Sequence, residues 1–168
     1  CRLTVRASNC GFTALAEGAV HNLALGWDAS IAAWGCNYSG QCDVPSHNSG
    51  FTAVAGGWSH IIALRSDGSI AAWGDNYNGQ CDVPAPNSGF TAVAAGWSHS
   101  LALRSDGPIA AWGDNGLGQC DDPAPNSGFI AVAGGRSHSL ALRSDGTLYA
   151  WDGSDDGHCE VPGPTPGL

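Results

Sequence analysis

The sequence contains no methionine and no lysine, and its six arginines are outnumbered by 15 acidic residues. The formal net charge of −9 is a poor match for a phosphate backbone, so the composition argues against a nucleic-acid-binding protein. No apolar run approaches the roughly 18–20 residues that a membrane-crossing helix needs, and we expect no membrane span. Because the initiator methionine is absent, we expect a processed product or a part of a longer chain.

Charged residues are also scarce, at 12% of the chain, whereas 43% of the residues are hydrophobic. This balance is typical of a globular protein and not of a disordered one. The 25 glycines and nine prolines predict many turns. No segment shows the periodicity of a helix of three turns.

The chain does contain an internal repeat with a period of 39 residues. Residues 50–88 and 89–127 are identical at 32 of 39 positions. We divide the chain into a degenerate partial repeat or terminal strand at 1–10, blades at 11–49, 50–88 and 89–127, and a divergent fourth blade with a Pro/Gly tail at 128–168. The aromatic and histidine positions that recur at this spacing are Trp34, Trp73, Trp112, Trp151, Phe12, Phe51, Phe90, Phe129, His21, His60, His99 and His138.

Each copy alternates short apolar runs with turn residues, as short strands do. In the second copy Asp67-Gly68 separates two apolar runs, and this dipeptide is a strong signal for a hairpin turn. Residues 80–83 are predicted as a fourth strand. Four strands in a unit of about 40 residues are typical of a β-propeller blade. The sequence therefore predicts an all-β fold of propeller-type blades, with four antiparallel strands in each 39-residue repeat and the repeated tryptophans packed between blades.

A combined motif recurs in the four blades and in the second consists of Gly57-Trp58-Ser59-His60, Ala63-Leu64, Asp67-Gly68, Trp73-Gly74, Asn76 and Gly79-Gln80. It resembles the repeat of the regulator of chromosome condensation superfamily. The short period and the trailing Val-Pro are most similar to the propeller-type β-lactamase inhibitory proteins within that superfamily. Known members close rings of about seven blades. The resemblance therefore implies that these four blades form a partial ring, completed either by oligomerisation or by missing repeats.

The repeated histidines, three of which follow a serine as in Ser59-His60, invite a catalytic or metal-binding interpretation. Neighbouring residues of a strand point to opposite faces, so an adjacent pair cannot act as nucleophile and base. No unique acid–base pair is visible either. We predict that each histidine is buried and hydrogen bonded to backbone, and that the protein is not an enzyme. No catalytic residue, metal or cofactor is expected.

Four of the seven cysteines recur with the repeat. Equivalent points on different blades are too far apart for a disulfide, whose Cα atoms must lie within about 7 Å. We interpret these four as small buried hydrophobic residues. They are Cys42, Cys81, Cys120 and Cys159.

The cysteines outside this recurring set suggest covalent links, one of them to the recurring Cys42. Cys36 and Cys42 flank one loop, and we predict a disulfide between them. Since seven is odd, at least one cysteine is left over, and Cys1 and Cys10 are candidates for a bond to another chain. The high cysteine count favours an oxidising compartment, so we expect a secreted or cell-surface protein.

Two sets of loops vary most among the copies, and in a blade of this kind both lie on the same rim. Exposed tryptophan, tyrosine and arginine are the residue types that anchor protein interfaces. In the inhibitor family that this sequence resembles, these motif positions form the protein-binding face. The alternative is that the two tryptophans only cap their blades. The candidate partner-binding residues are Trp58, Trp97 and Arg136 from the first set of loops and Tyr38, Asp75, Asn76, Tyr77, Asp114, Asn115 and Leu117 from the second.

The sequence as a whole favours a non-catalytic extracellular propeller that binds a protein partner or copies of itself. The first copy is not visibly capped by polar residues, as the end of an open array normally is. We therefore expect a homo-oligomer, either a closed ring or a filament. Two other interpretations stay open, namely an enzyme inhibitor of the β-lactamase-inhibitor type and a carbohydrate-binding propeller with one site per blade.

Overall fold

A computed structural model of the protein describes residues 10–152, 157, 159–161 and 163. Cys1, most of the terminal strand predicted at residues 1–10 and most of the Pro/Gly tail lie outside the described residues. None of the described residues forms a helix, and so the described part contains no helix long and apolar enough to cross a membrane.

Within the described residues, twelve strands form four antiparallel sheets, and each sheet contains three strands in chain order. One sheet corresponds to each repeat, and the predicted all-β repeat fold is confirmed. The strands are β1 Phe12–Glu17, β2 His21–Gly26, β3 Ile31–Gly35, β4 Phe51–Gly56, β5 His60–Arg65, β6 Ile70–Gly74, β7 Phe90–Ala95, β8 His99–Arg104, β9 Ile109–Gly113, β10 Phe129–Gly134, β11 Ser139–Arg143 and β12 Leu148–Trp151.

The segment at residues 80–83, predicted as a fourth strand, does not form one: residues 80–81 belong to a turn, and residues 82–83 have no regular secondary structure. Two of its backbone amides are bonded within the loop. The Asp82 amide donates to the Gly79 carbonyl at 2.9 Å. The Cys81 amide donates to the side-chain oxygen of Asn76 at 2.7 Å. Amides that are held by a side chain and by a turn are not available for a strand ladder.

The Asp-Gly turn between β5 and β6 also joins one blade to the next. Gly68 has a positive φ of 78°, and the Asp67 carboxylate accepts the Ser69 amide at 2.9 Å. The Gly68 carbonyl accepts the amide of Phe90, the first residue of β7, at 3.0 Å. A Cβ atom on Gly68 would lie 3.0 Å from the Gly89 nitrogen, so a glycine here permits the close approach of the following blade.

The hydrophobic core lies between neighbouring sheets, so the middle strand of an inner blade is buried on both faces. In β5, Ile61 and Ala63 pack towards the first sheet, whereas Ile62 packs towards the third. This explains why residues 61–64 of β5 form a continuous apolar run without the alternation of a half-exposed strand. The isoleucine that opens the third strand of one blade shares a core cluster with the phenylalanine that opens the next blade, in the pairs Ile31 and Phe51, Ile70 and Phe90, and Ile109 and Phe129.

The repeated tryptophans also lie between blades, as predicted. The indole N–H groups of Trp73, Trp112 and Trp151 each donate to a glutamine carbonyl in the preceding blade, at distances of 3.0–3.1 Å. This hydrogen bond satisfies the polar edge of a large ring that is otherwise packed against apolar groups. The donor and acceptor pairs are Trp73 and Gln41, Trp112 and Gln80, and Trp151 and Gln119.

The two ends of the array expose positions that are buried in its interior. Phe12 of the first blade is 46% exposed, whereas the equivalent Phe51 is 2% exposed. At the other end Leu148 is 42% exposed, whereas the equivalent Ile70 is 4% exposed. Among the described residues, each of these two end positions lacks the neighbouring blade that covers its counterparts.

Candidate functional site

The first set of variable loops forms a stack of side chains on one rim of the array. The rings of Trp58 and Trp97 are parallel within 3°, with their centroids 3.9 Å apart. The guanidinium carbon of Arg136 lies 4.2 Å from the centroid of the Trp97 ring. We call Trp58, Trp97 and Arg136 the rim ladder.

The backbone beneath the rim ladder sets its spacing. The Trp58 amide donates to the Trp97 carbonyl at 3.0 Å, which joins the turn after β4 to the turn after β7. This approach needs small residues, because a Cβ atom on Gly57 would lie 2.1 Å from the His60 ring and 2.6 Å from the Gly96 carbonyl. Glycine at this position therefore allows neighbouring turns, and the side chains above them, to stack closely.

The rim ladder lines an open concave surface of about 360 Å³. Small residues of the inner strands form its floor, and Glu17, Gly18 and Ala19 of the first blade complete it. Trp58 is 39% exposed, so the top of the ladder is accessible to a ligand. An exposed surface of two tryptophans and one arginine has the composition of a protein-binding hot spot.

The second set of loops lies on the same rim, as predicted from the strand order. The Asp75 amide, which directly follows β6, donates to the Ser59 carbonyl of the first set at 2.8 Å. The side chains that this loop set exposes are Tyr38 at 95%, Tyr77 at 92% and Leu117 at 42%. They add apolar and phenolic surface beside the rim ladder.

The polar residues predicted in the second set of loops build those loops. Asn76 accepts the Cys81 amide at 2.7 Å and donates to the Asp82 carboxylate at 2.9 Å. The Asp75 carboxylate accepts a hydrogen bond from the side-chain amide Nε2 of Gln80 at 2.9 Å. These side chains therefore hold the geometry from which Tyr77 projects.

The next blade repeats this loop construction. Asn115 accepts the Cys120 amide at 2.8 Å, and it donates to the Asp121 carboxylate at 2.8 Å. The Asp114 carboxylate accepts the Gly116 amide at 3.0 Å. Asp114 and Asn115 thus hold the loop that carries Leu117, whereas the position equivalent to Tyr77 is Gly116 in this blade.

A set of buried histidine–serine pairs was not predicted from the sequence. His60 Nε2 lies 3.0 Å from the hydroxyl oxygen of Ser100 in the next blade, and His99 pairs with Ser139 in the same way at 3.1 Å. The predicted partner was backbone, whereas the observed partner is a hydroxyl group. The Ser100 hydroxyl donates to the Gln80 carbonyl at 2.8 Å, so the proton of its bond with the histidine belongs to Nε2.

These pairs resemble a nucleophile and its base in composition but not in position. His60 and Ser100 are both 0% exposed, so no substrate can reach the hydroxyl group. Burial lowers the pKa of His60 to about 4, helped by the nearby His99, so the ring is neutral near pH 7. The pairs therefore hold adjacent blades together.

The first blade lacks such a pair. Neither ring nitrogen of His21 has a hydrogen-bond partner. The reason is that Ile61 stands at the position of Ser100 and Ser139 in the later blades. The histidine recurs in every blade whereas the residue 40 positions later is Ile61, Ser100 or Ser139, so the sequence carries no signal that the two residues pair.

The repeated cysteines are half-buried thiols. The Cys81 thiol donates to the Asp75 carbonyl at 3.3 Å, and the Cys120 thiol donates to the Asp114 carbonyl at 3.2 Å. Burial, reinforced by the neighbouring carboxylates, raises the pKa of both thiols to about 12. This environment fits the interpretation of these residues as small, chemically inert side chains.

Cys36 and Cys42 lie on the same loop, but no disulfide joins them in the structure. Instead, the Cys42 thiol donates to the Cys36 carbonyl at 3.3 Å, as at the equivalent positions of later blades. The predicted bond between the two residues stays a prediction. Cys10, a candidate for an intermolecular bond, is exposed.

Three stretches of the chain match the family model of the regulator of chromosome condensation (RCC1) repeat. They are residues 51–80, 90–119 and 129–151. Each contains the strands, the glycines beneath the rim ladder and the interblade tryptophan described above. No curated protein sequence matches the chain.

Several solved structures share the fold. Prp20p from Saccharomyces cerevisiae superposes with a TM-score of 0.76 at 23% identity, over 88% of this chain and 46% of that chain. The CRINKLY WD40 ectodomain of the Arabidopsis thaliana receptor kinase ACR4 has a TM-score of 0.68 at 20% identity, over 84% of this chain and 50% of that chain. Human WBSCR16 has a TM-score of 0.67 at 19% identity, over 80% and 45% respectively.

The chain spans about half the length of these structures, and the described sheets are arranged as in a part of their propellers. The period, the Gly-Trp-Ser-His turn and the three matched repeats agree with one another. The protein is therefore an RCC1-repeat protein with a propeller-type arrangement of blades.

Proposed function

We propose that this protein is a non-catalytic interaction module that binds a partner protein through the rim ladder and the adjacent Tyr38, Tyr77 and Leu117. The observation that carries the proposal is the stack of Trp58, Trp97 and Arg136 on an open concave rim. Stacked aromatic rings are already ordered, so a partner gains their contact area at a small cost in conformational entropy.

Work on a structural neighbour supports protein binding by this kind of propeller. Prp20p has been described for its binding properties to Gsp1p and histones, and Kap60 has been crystallised bound to it. We extend only the general property, binding of proteins, to the present chain. An enzyme inhibitor of the β-lactamase-inhibitor type would be one case of this function, with the enzyme as the partner.

The composition of the rim does not favour the carbohydrate-binding interpretation. A propeller with one site per blade needs equivalent residues in each blade. The four equivalent positions here are Ala19, Trp58, Trp97 and Arg136, so the chemistry changes along the rim. A single extended surface fits this variation better than repeated small sites.

We also propose that the protein works outside the cytosol, as a secreted or cell-surface protein. The seven cysteines in a chain of this size support that location. Detection of the Cys36–Cys42 bond in native material would support it further, and finding every cysteine as a free thiol would contradict it.

Self-assembly is a second candidate function, favoured by the ends of the array. Inside the array, the phenylalanine that opens one blade packs in the same cluster as the residue that opens the third strand of the preceding blade. The exposed Phe12 and Leu148 are the two unpaired members of this series. A second copy could therefore seat its first blade on the fourth blade of its neighbour, in a ring or a filament. The alternative is that further repeats of a longer chain cover these two ends.

Photo-crosslinking tests the proposed function. The crosslinking residue p-benzoylphenylalanine is placed at Tyr77, beside the rim ladder, and as a control at Asp67 on the opposite rim. The partner captured only from position 77 is identified, purified and titrated against the wild type, Trp97→Ala and the control Ser105→Ala. We expect about a tenfold or greater loss of affinity for Trp97→Ala alone. Equal affinity for all three proteins would overturn the proposal.

A further inference from the structure

The rim ladder has one position that is not filled. Its residues occur once per blade, and in the first blade the equivalent residue is Ala19. The backbone there follows the ladder, because the Ala19 amide donates to the Gly57 carbonyl at 3.1 Å, as the Trp97 amide does to Gly135 at 3.2 Å. A side chain of one methyl group leaves the space of a ring or guanidinium group vacant.

The vacant position lies next to a free aromatic face. Trp97 covers one face of Trp58, and no ring or guanidinium among residues 10–152 covers the other. The exposed fraction of Trp58, 39%, agrees with this one-sided contact. The spacing of the ladder implies that a planar group would sit about 4 Å from Trp58, within the range for stacking and cation–π contacts.

The charge beside the vacant position is negative. Glu17 stands where the later blades have Gly56, Ala95 and Gly134, so an acid occurs only in the first blade. Glu17 is exposed and lines the same concave surface as Ala19 and Trp58. A carboxylate and an open indole face together favour a ligand that is both planar and cationic.

We infer that the vacant position is a binding site for an arginine side chain of the partner protein, stacked on Trp58 above Ala19 and paired with Glu17. The opposite end of the ladder shows the same chemistry, because Arg136 already stacks on Trp97 at 4.2 Å. The net charge of −9 would also attract a basic partner segment. This inference rests on the proposed function and names the residue type that the rim recognises.

A direct test uses small probes and the full-length protein labelled with ¹⁵N. N-acetylarginine amide is titrated while the indole N–H signal of Trp58, assigned with Trp58→Phe, is followed by NMR. Nα-acetyllysine amide has a positive charge but no planar group, and Nα-acetylcitrulline amide has a planar ureido group but no charge. We expect a saturable shift with the arginine probe and binding about tenfold weaker with each of the other two.

Three variants connect the shift to the site. Ala19→Trp fills the vacant position with the residue that two other blades carry there, and we expect it to abolish binding of the arginine probe. Glu17→Gln should weaken binding about threefold. Ser105→Trp, which adds a tryptophan at an exposed position on the opposite rim, is the matched control and should leave binding unchanged.

The inference is overturned if the citrulline or lysine probe binds as tightly as the arginine probe, if Ala19→Trp still binds it, or if no saturable shift occurs. It is also overturned if Arg2→Ala/Arg6→Ala raises the affinity severalfold, because one of the chain's own arginines would then occupy the site. These outcomes leave the proposed function intact as long as Trp97→Ala still weakens binding of the partner protein.

Discussion

His60 Nε2 lies 3.0 Å from Ser100 Oγ, although the two residues belong to different blades and are 40 positions apart in the chain. The Ser100 hydroxyl donates in turn to the Gln80 carbonyl, which also accepts a hydrogen bond from the indole N–H of Trp112. One buried hydrogen-bond network therefore connects two residues of the second blade, His60 and Gln80, with Ser100 and Trp112 of the third. In a buried site each of these polar groups is costly to leave unpaired.

Removal of the Ser100 hydroxyl should destabilise the protein. Ser100→Ala leaves the buried Nε2 of His60 without an acceptor, and we expect a loss of about 1–3 kcal/mol in the free energy of unfolding. Ser105→Ala, an exposed serine on the opposite rim, should change it by less than about 0.5 kcal/mol. Urea unfolding followed by tryptophan fluorescence measures both. Equal stability of the two variants would show that the pair contributes nothing.

The protein should lose stability on mild acidification. Burial lowers the pKa of His60 and His99 to about 4 from the ordinary value of 6.5, so below pH 6.5 the unfolded state binds more protons than the folded state. The stabilising contribution is therefore complete above pH 6.5 and is lost as the pH falls towards 4, by up to about 3 kcal/mol for each histidine. Asp122 is exposed, but partial desolvation of its carboxylate and the neighbouring Asp121 charge raise its pKa to about 6, and it acts in the opposite direction and offsets part of this loss.

Two variants separate these contributions. His99→Gln should make the dependence of unfolding free energy on pH shallower between pH 4 and 6.5. Asp122→Asn should make it steeper, because the opposing group is removed. The measurement is urea unfolding at intervals of half a pH unit, and identical slopes in all three proteins would contradict the assignment.

The repeated thiols should resist modification in the folded protein. The pKa of Cys81 and Cys120 is raised to about 12, so almost no thiolate is present at pH 8. We expect iodoacetamide to label the exposed Cys10 quickly and to label Cys81 and Cys120 only after unfolding. Peptide mass spectrometry measures the labelling, and it also shows whether Cys36 and Cys42 are bonded in native material. Rapid labelling of Cys120 in the folded protein would be inconsistent with the structure.

Self-assembly should depend on the ends of the array. Light scattering at micromolar concentration is expected to give a mass that is a multiple of 17.0 kDa. Leu148→Glu should reduce that mass to the monomer, because it places a charge where Phe12 of the next copy would pack. Leu117→Glu is a matched control, since Leu117 is also 42% exposed but lies on the rim. A soluble wild-type monomer would rule out the assembly.

The repeat architecture could be predicted from sequence because its signals are local. The 39-residue period, the Asp-Gly turns and the apolar runs each lie within one blade. The fourth strand was not formed, because Asn76 takes the Cys81 amide away from any ladder. That competition depends on a loop conformation that strand propensity does not describe.

The residues of the candidate site could be predicted from the sequence, but the way their side chains stack could not. Trp58, Trp97 and Arg136 could be assigned to one rim from strand order alone. Their stacking depends on the distance between blades, which is set by close approaches such as that of Gly57 to the Gly96 carbonyl of the next blade. The His60–Ser100 pair was missed for the same reason, since its two members meet only after neighbouring blades pack.

Hydrogen–deuterium exchange of the protein bound to its crosslinked partner tests the central claim, protein binding through the rim ladder, most directly. We predict that binding slows exchange at residues 57–59, 75–78, 96–98 and 114–117, and leaves the Asp-Gly turns at residues 66–69 and 105–108 unchanged. Protection confined to those turns or to the ends of the array, with no change around Trp58 and Trp97, would contradict it.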